Sequence, residues 1–79
     1  MFTSQDLQNI VSKALQIDSN SLSDESSAEN VEEWDSIGHI SILGLLEEEN
    51  QGILDKYPDL ATAVSVRELM QVLNTTKNS

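Results

Sequence analysis

The stretch Trp34-Asp35-Ser36-Ile37-Gly38-His39-Ile40-Ser41-Ile42-Leu43-Gly44-Leu45-Leu46-Glu47-Glu48-Glu49 reads as an apolar helix with a polar front and an acidic end. Asp is a favoured N-cap, because its carboxylate accepts a backbone N–H that the first turn leaves unpaired. With Asp35 as cap, Ser36 becomes the first helical residue, its hydroxyl at the electropositive end of the helix dipole. Unpaired N–H groups at a helix start favour anions, so a phosphate ester on Ser36 would be stabilised there. The helix is expected to run to about Asn50, with Gly52 placed for a C-terminal stop.

Placing these residues at about 100° per step separates two faces. Ile42, Leu43, Leu45 and Leu46 form the side expected to face a bundle. Ser36, Ile37, Ile40, Ser41, Gly44, Glu47 and Glu48 fall on the other. An apolar pair rimmed by carboxylates has the make-up of a docking surface, so Ile37, Ile40, Glu47 and Glu48 are expected to meet basic patches of partner proteins. The competing expectation is that Ile37 and Ile40 pack against the preceding loop or the segment after the helix. His39 lies between Leu43 and Leu46 on this wheel, at the core margin. Asp35, Ser36 and His39 include the residue types of a hydrolase triad, but one helical turn does not also supply a buried aspartate, an oxyanion hole and a cleft.

Upstream, Asp18 to Asp35 is polar, with Leu22, Ala28, Val31 and Trp34 its only apolar residues. A connection this long in a compact domain needs pins, and Leu22, Val31 and Trp34 are the candidates. Asp18, Asn20, Asp24 and Glu29 occupy positions 1, 3, 7 and 12 of a twelve-residue calcium loop. Leu22 at the fifth position and Ser23 in place of the turn glycine argue against that reading, and no metal site is expected. Earlier still, Thr3 with Asp6 forms an approximate capping box, and Phe2 with Leu7 a hydrophobic staple. Leu7, Ile10, Val11, Ala14 and Leu15 then make one apolar stripe on a helix ending near Gln16. Downstream, a short turn is expected over Pro58 to Thr62, since proline is tolerated at a first helical position. Ser65-Val66-Arg67-Glu68 is a capping box for a last helix carrying Val66, Leu69, Met70 and Leu73, closed by Asn74. Thr75–Ser79 is expected to be a mobile tail.

The chain has 79 residues, enough for one domain with a modest core. Fourteen acidic residues against four basic ones give a net charge of −10, which repels nucleic acid and anionic membranes and favours basic partners. With no cysteine there is no disulfide, zinc-thiolate site or thiol nucleophile. The start of the chain lacks the pattern of a signal peptide, and no stretch reaches the roughly 20 apolar residues of a membrane span. A cytoplasmic monomer is therefore expected.

Asp35-Ser36-Ile37, followed by an aliphatic helix ending in Leu46-Glu47-Glu48-Glu49, resembles the acyl carrier proteins, whose signature is Asp-Ser-Leu or a close aliphatic variant. The resemblance implies an all-α four-helix bundle with three longer helices, a short third one, and a long loop between helices I and II. It implies that Ser36 carries 4′-phosphopantetheine in a phosphodiester, with Asp35 capping beside it. A phosphopantetheinyl transferase (holo-synthase) would attach the arm from coenzyme A with Mg²⁺. The protein would then be a substrate rather than an enzyme, presenting acyl thioesters to fatty-acid, polyketide or related biosynthetic enzymes. By the same resemblance, apolar cargo would enter between helices near Ile42, Leu46 and Leu69. The sequence departs from the family where Asn50 replaces an aromatic residue after the glutamates, and Tyr57 is the candidate substitute. Two alternatives stay open: a stand-alone aminoacyl or peptidyl carrier on the same serine, and an unmodified acidic adaptor that binds partners through helix II.

Overall fold

Thr3 starts the first helix as the residue pattern requires. In the computed structural model, which describes residues 2–74, its hydroxyl accepts the Asp6 N–H at 3.1 Å and the Asp6 carboxylate accepts the Thr3 N–H at 3.0 Å. Helix α1 covers Ser4–Leu15 and stops at Gln16, whose φ of 59° breaks the helical run. Helix α2 covers Ser36–Glu49, α3 Ile53–Lys56 and α4 Val66–Asn74, with 3₁₀ turns at Ser19–Ser21 and Pro58–Thr62. Four α-helices and no strand are thus present among the described residues, and none of the helices is long and apolar enough to cross a membrane.

Helix α1 packs on α2 and α4, each contributing side chains from successive turns to one hydrophobic core. Leu7, Val11, Ile42, Leu46, Leu60, Val66 and Leu69 are completely inaccessible to solvent. On α2, Ile42 and Leu46 form the buried stripe, while Leu43 and Leu45 are half-buried at its edges. The expected loop pins are in place: Leu22, Val31 and Trp34 are all buried, and Trp34 is the largest side chain of the core. Tyr57 is partly buried against the same core.

The long loop is also held by polar contacts. Ala28 N–H donates to the Val64 carbonyl at 2.9 Å and Val66 N–H to the Ser26 carbonyl at 3.0 Å, an isolated bridge in front of α4. Asp24 accepts from Ser4 and Gln8 on α1, and Glu25 pairs with Arg67 on α4. The loop acids of the calcium pattern are spent differently: Asp18 caps the 3₁₀ turn through the Asn20 N–H. Among the described residues no three His, Cys, Asp or Glu side chains gather as a metal site.

Residues 50–64 differ from expectation. Pro58–Thr62 is the short turn foreseen, but as a 3₁₀ helix, and a separate one-turn helix, α3, precedes it. Gly52, at φ 88°, turns the chain into α3 as well as ending α2. The α4 cap is shifted by one residue on one side. The Ser65 hydroxyl accepts the Glu68 N–H at 3.0 Å, but the Glu68 carboxylate takes the Val64 N–H, not that of Ser65. Asn74 is the last residue of α4 and donates to the Phe2 carbonyl. The tail expected at Thr75–Ser79 lies outside the described residues.

Candidate functional site

Asp35 has extended backbone angles and its Oδ1 accepts the Gly38 N–H at 2.8 Å, the N-cap geometry that its side chain favours. Ser36 is therefore the first residue of α2, and it is exposed. Its hydroxyl takes no side-chain hydrogen bond among the described residues. The first turn can lie this close to the loop only because residue 38 is glycine. A Cβ there would come within 2.2 Å of the Glu33 carbonyl oxygen and 2.8 Å of a Leu15 methyl.

Ser36 opens onto a surface groove of about 560 Å³. It is lined by the buried Trp34, by apolar Ala28, Ile40 and Val64, and by Asp35 and His39. His39 is half-buried and fully engaged. The Trp34 indole N–H donates to its Nδ1 at 3.2 Å, which leaves Nε2 as the protonated nitrogen. That N–H faces the carbonyls of Leu60 and Ala61, 3.1 Å from each. The imidazole and indole planes are 17° apart at 6.4 Å between centroids. With both ring nitrogens committed, His39 is no base for Ser36, and the triad reading fails on geometry. The expectation that His39 sits at the core margin holds.

Ile37 is 76% exposed and Ile40 67%, so neither packs against the loop or the segment after α2. Glu48 is exposed on the same helix. Glu47 is not simply a surface charge: its carboxylate accepts the N–H groups of Gly52 at 2.8 Å and Leu54 at 3.2 Å. Gly52 has no side chain to cap α3, and Glu47 fills that role from the helix before. Glu49 pairs with Lys13 at 3.6 Å across the α1–α2 contact. Ile42, Leu46 and Leu69, the residues named for cargo, are fully buried, so a chain reaching them has to part the helices.

Sequence reasoning did not single out Gly38, the bond from Trp34 to His39, or Ala28 and Val64 as groove walls. A glycine in the first turn after an N-cap was the available signal for the first, since glycine costs helix stability unless a neighbour needs its space. The others depend on contacts between segments far apart in the chain. The chain matches no protein-family model, no curated protein and no solved structure.

The arrangement offers a solvent-facing primary alcohol at a helix start, an apolar groove beside it, and an exposed apolar and acidic face along the same helix. These residues fit a phosphodiester-linked group: the oxygen is accessible, the N–H groups of the first turn favour its phosphate, and the groove gives an apolar arm a wall.

Proposed function

We propose that the chain is an acyl carrier protein, holding acyl groups as thioesters on 4′-phosphopantetheine attached to Ser36. The observation that carries this reading is the exposed, unpartnered Ser36 hydroxyl at the Asp35-capped start of α2. When bound, the group supplies a thiol, which a chain without cysteine lacks. Because His39 is occupied by Trp34 and two carbonyls, the base that activates Ser36 belongs to the modifying transferase. Ile37, Ile40 and Glu48 are open to partner enzymes with apolar and basic docking patches, and Glu47 would join them only by giving up its bonds to α3. The net charge of −10 suits a series of basic partners met in turn in the cytoplasm.

The test is intact-mass measurement after incubation with coenzyme A, Mg²⁺ and a promiscuous phosphopantetheinyl transferase. The wild type is expected to gain one phosphopantetheine and Ser36→Ala none. No gain on the wild type would leave the adaptor reading, which the exposure of Ile37 and Ile40 then favours. Whether the cargo is acyl or aminoacyl is decided by which loading enzymes accept the modified protein.

A further inference from the structure

We propose that cargo carried on Ser36 rests outside the helical core, in the groove over Trp34, because His39 bolts the seam through which it would otherwise enter. The inference rests on the carrier reading above, and departs from the interior route near Ile42, Leu46 and Leu69.

An apolar group tethered to Ser36 leaves water for whichever apolar surface it reaches at least cost. Two destinations lie beside Ser36. The first is the core, which lies behind the seam between α2 and the Pro58–Thr62 turn. His39 closes this seam: its Nε2–H reaches from α2 to the Leu60 and Ala61 carbonyls, and its Nδ1 is held by Trp34 from the loop. Three segments therefore meet on one imidazole. Opening the seam breaks these bonds together and exposes Leu60 and Trp34, which are 0% and 1% accessible. Ile42, Leu46 and Leu69 are already fully buried.

The second destination needs no opening. The groove of about 560 Å³ includes Ser36 itself, and falls in the size range of small-ligand sites, about 300–1,000 Å³. Val64 is 39% exposed and Ile40 67%, so apolar wall is available before any cargo arrives. A tether fixed at the groove's own edge keeps the local concentration of cargo there high. The exterior site is the one reached without disturbing the fold.

The proposal is tested on protein loaded at Ser36 with a carbon-13-labelled octanoyl chain, transferred from octanoyl-coenzyme A by a promiscuous phosphopantetheinyl transferase. Isotope-filtered NOEs from the chain are expected to Ala28, Ile40, Val64 and the Trp34 ring. NOEs to the methyls of Ile42, Leu46 and Leu69 in the wild type would overturn the proposal. Two variants probe the bolt. His39→Gln sets a side-chain amide where Nε2 stood and keeps a donor for Leu60 and Ala61, whereas His39→Asn keeps a polar group only near the Nδ1 position. Gln is expected to preserve the exterior NOE pattern, and Asn and Ala to move it to the core methyls. Exterior NOEs in loaded, helical His39→Asn would overturn the role given to His39, even if the Ala variant fails to fold. Absence of any mass gain on loading would instead bring down the carrier reading itself, which separates the two failures.

Discussion

Two glycines of α2 show how far a single side chain's surroundings outweigh its propensity. Gly38 and Gly44 lie in the same helix, where glycine costs about 1 kcal/mol relative to alanine. Nothing lies within 4 Å of a Cβ built on Gly44, so Gly44→Ala is expected to stabilise the protein by about 0.5–1 kcal/mol. A Cβ on Gly38 meets the Glu33 backbone at 2.2 Å, and backbone does not swing aside. Gly38→Ala is expected to destabilise by roughly 1–3 kcal/mol, the range for overpacking, despite the gain in propensity. Urea denaturation of the two variants checks the opposite signs, and equal shifts would show that the close approach at Gly38 carries no energetic weight. Both glycines were visible in the sequence, but which one was needed was not. That depended on Glu33 and Leu15, whose positions only the folded loop defines.

Among the elements, the helices capped by their own preceding residue were legible and the one capped from another helix was not. Helices α1 and α2 announce themselves because Thr3 and Asp35 sit beside the turns they cap. Helix α3 has glycine at its cap position and takes its acceptor from Glu47, five residues before Gly52 and on another helix. No local pattern encodes that. The three glutamates closing α2 sit at the negative end of its dipole, an unfavourable place for acids, with no basic residue in that turn. Glu47 offsets this by capping α3 and Glu49 by pairing with Lys13, but Glu48 has no partner among the described residues. Glu47→Ala is therefore expected to destabilise by about 1 kcal/mol, as lost caps do, and to speed amide hydrogen exchange at Gly52 and Leu54. Glu48→Gln is expected to stabilise by about 0.3–1 kcal/mol while weakening engagement by basic partners. Denaturation midpoints with partner-binding titrations measure both, and a Glu48→Gln protein that bound partners unchanged would remove this residue from the proposed docking face.

For the molecule as a whole, the long loop sets the question of what holds 79 residues together. Its ion pair is exposed: Arg67 and Glu25 are 58% and 75% accessible at their side chains, and pairs of this kind contribute about 0–1 kcal/mol. Its apolar ties are not, and Trp34 is 1% accessible. Removing a buried Trp side chain costs about 3–5 kcal/mol, against a stability of about 5–15 kcal/mol for a typical domain. Trp34→Ala is thus expected to leave a marginal fold with early thermal unfolding, and Arg67→Ala one that melts within a few degrees of wild type. The pins Leu22, Val31 and Trp34 could be named from the sequence because they are almost the only apolar residues there. Their partners could not, since the Trp34–His39 bond and the bridge to Val64 and Val66 join residues that only the closed fold brings together.

The imbalance of charge over the whole molecule fixes the sign of its response to salt. Of the four basic residues, Lys13 pairs with Glu49, Arg67 with Glu25, and Lys56 lies 5.8 Å from the Tyr57 ring centre, while the fourth, Lys77, is outside the described residues. Most of the fourteen acids therefore have no cation beside them among the described residues, whose Cα radius of gyration is 11.5 Å, and the chain's net charge is −10. Folding brings these charges closer than the unfolded chain does, so self-repulsion opposes the compact state. Screening shortens from about 30 Å at 0.01 M salt to about 3 Å at 1 M, which removes repulsion across the molecule. It also weakens the two exposed ion pairs, but together these contribute at most about 2 kcal/mol, and the uncompensated acids outnumber them. The melting temperature is therefore expected to rise with sodium chloride, by about 4–8 °C for each kcal/mol of repulsion relieved in a domain this size. A thermal scan across that range of salt measures it. A melting temperature that fell with salt would mean that the ion pairs to Glu25 and Glu49 outweigh the repulsion among the remaining acids.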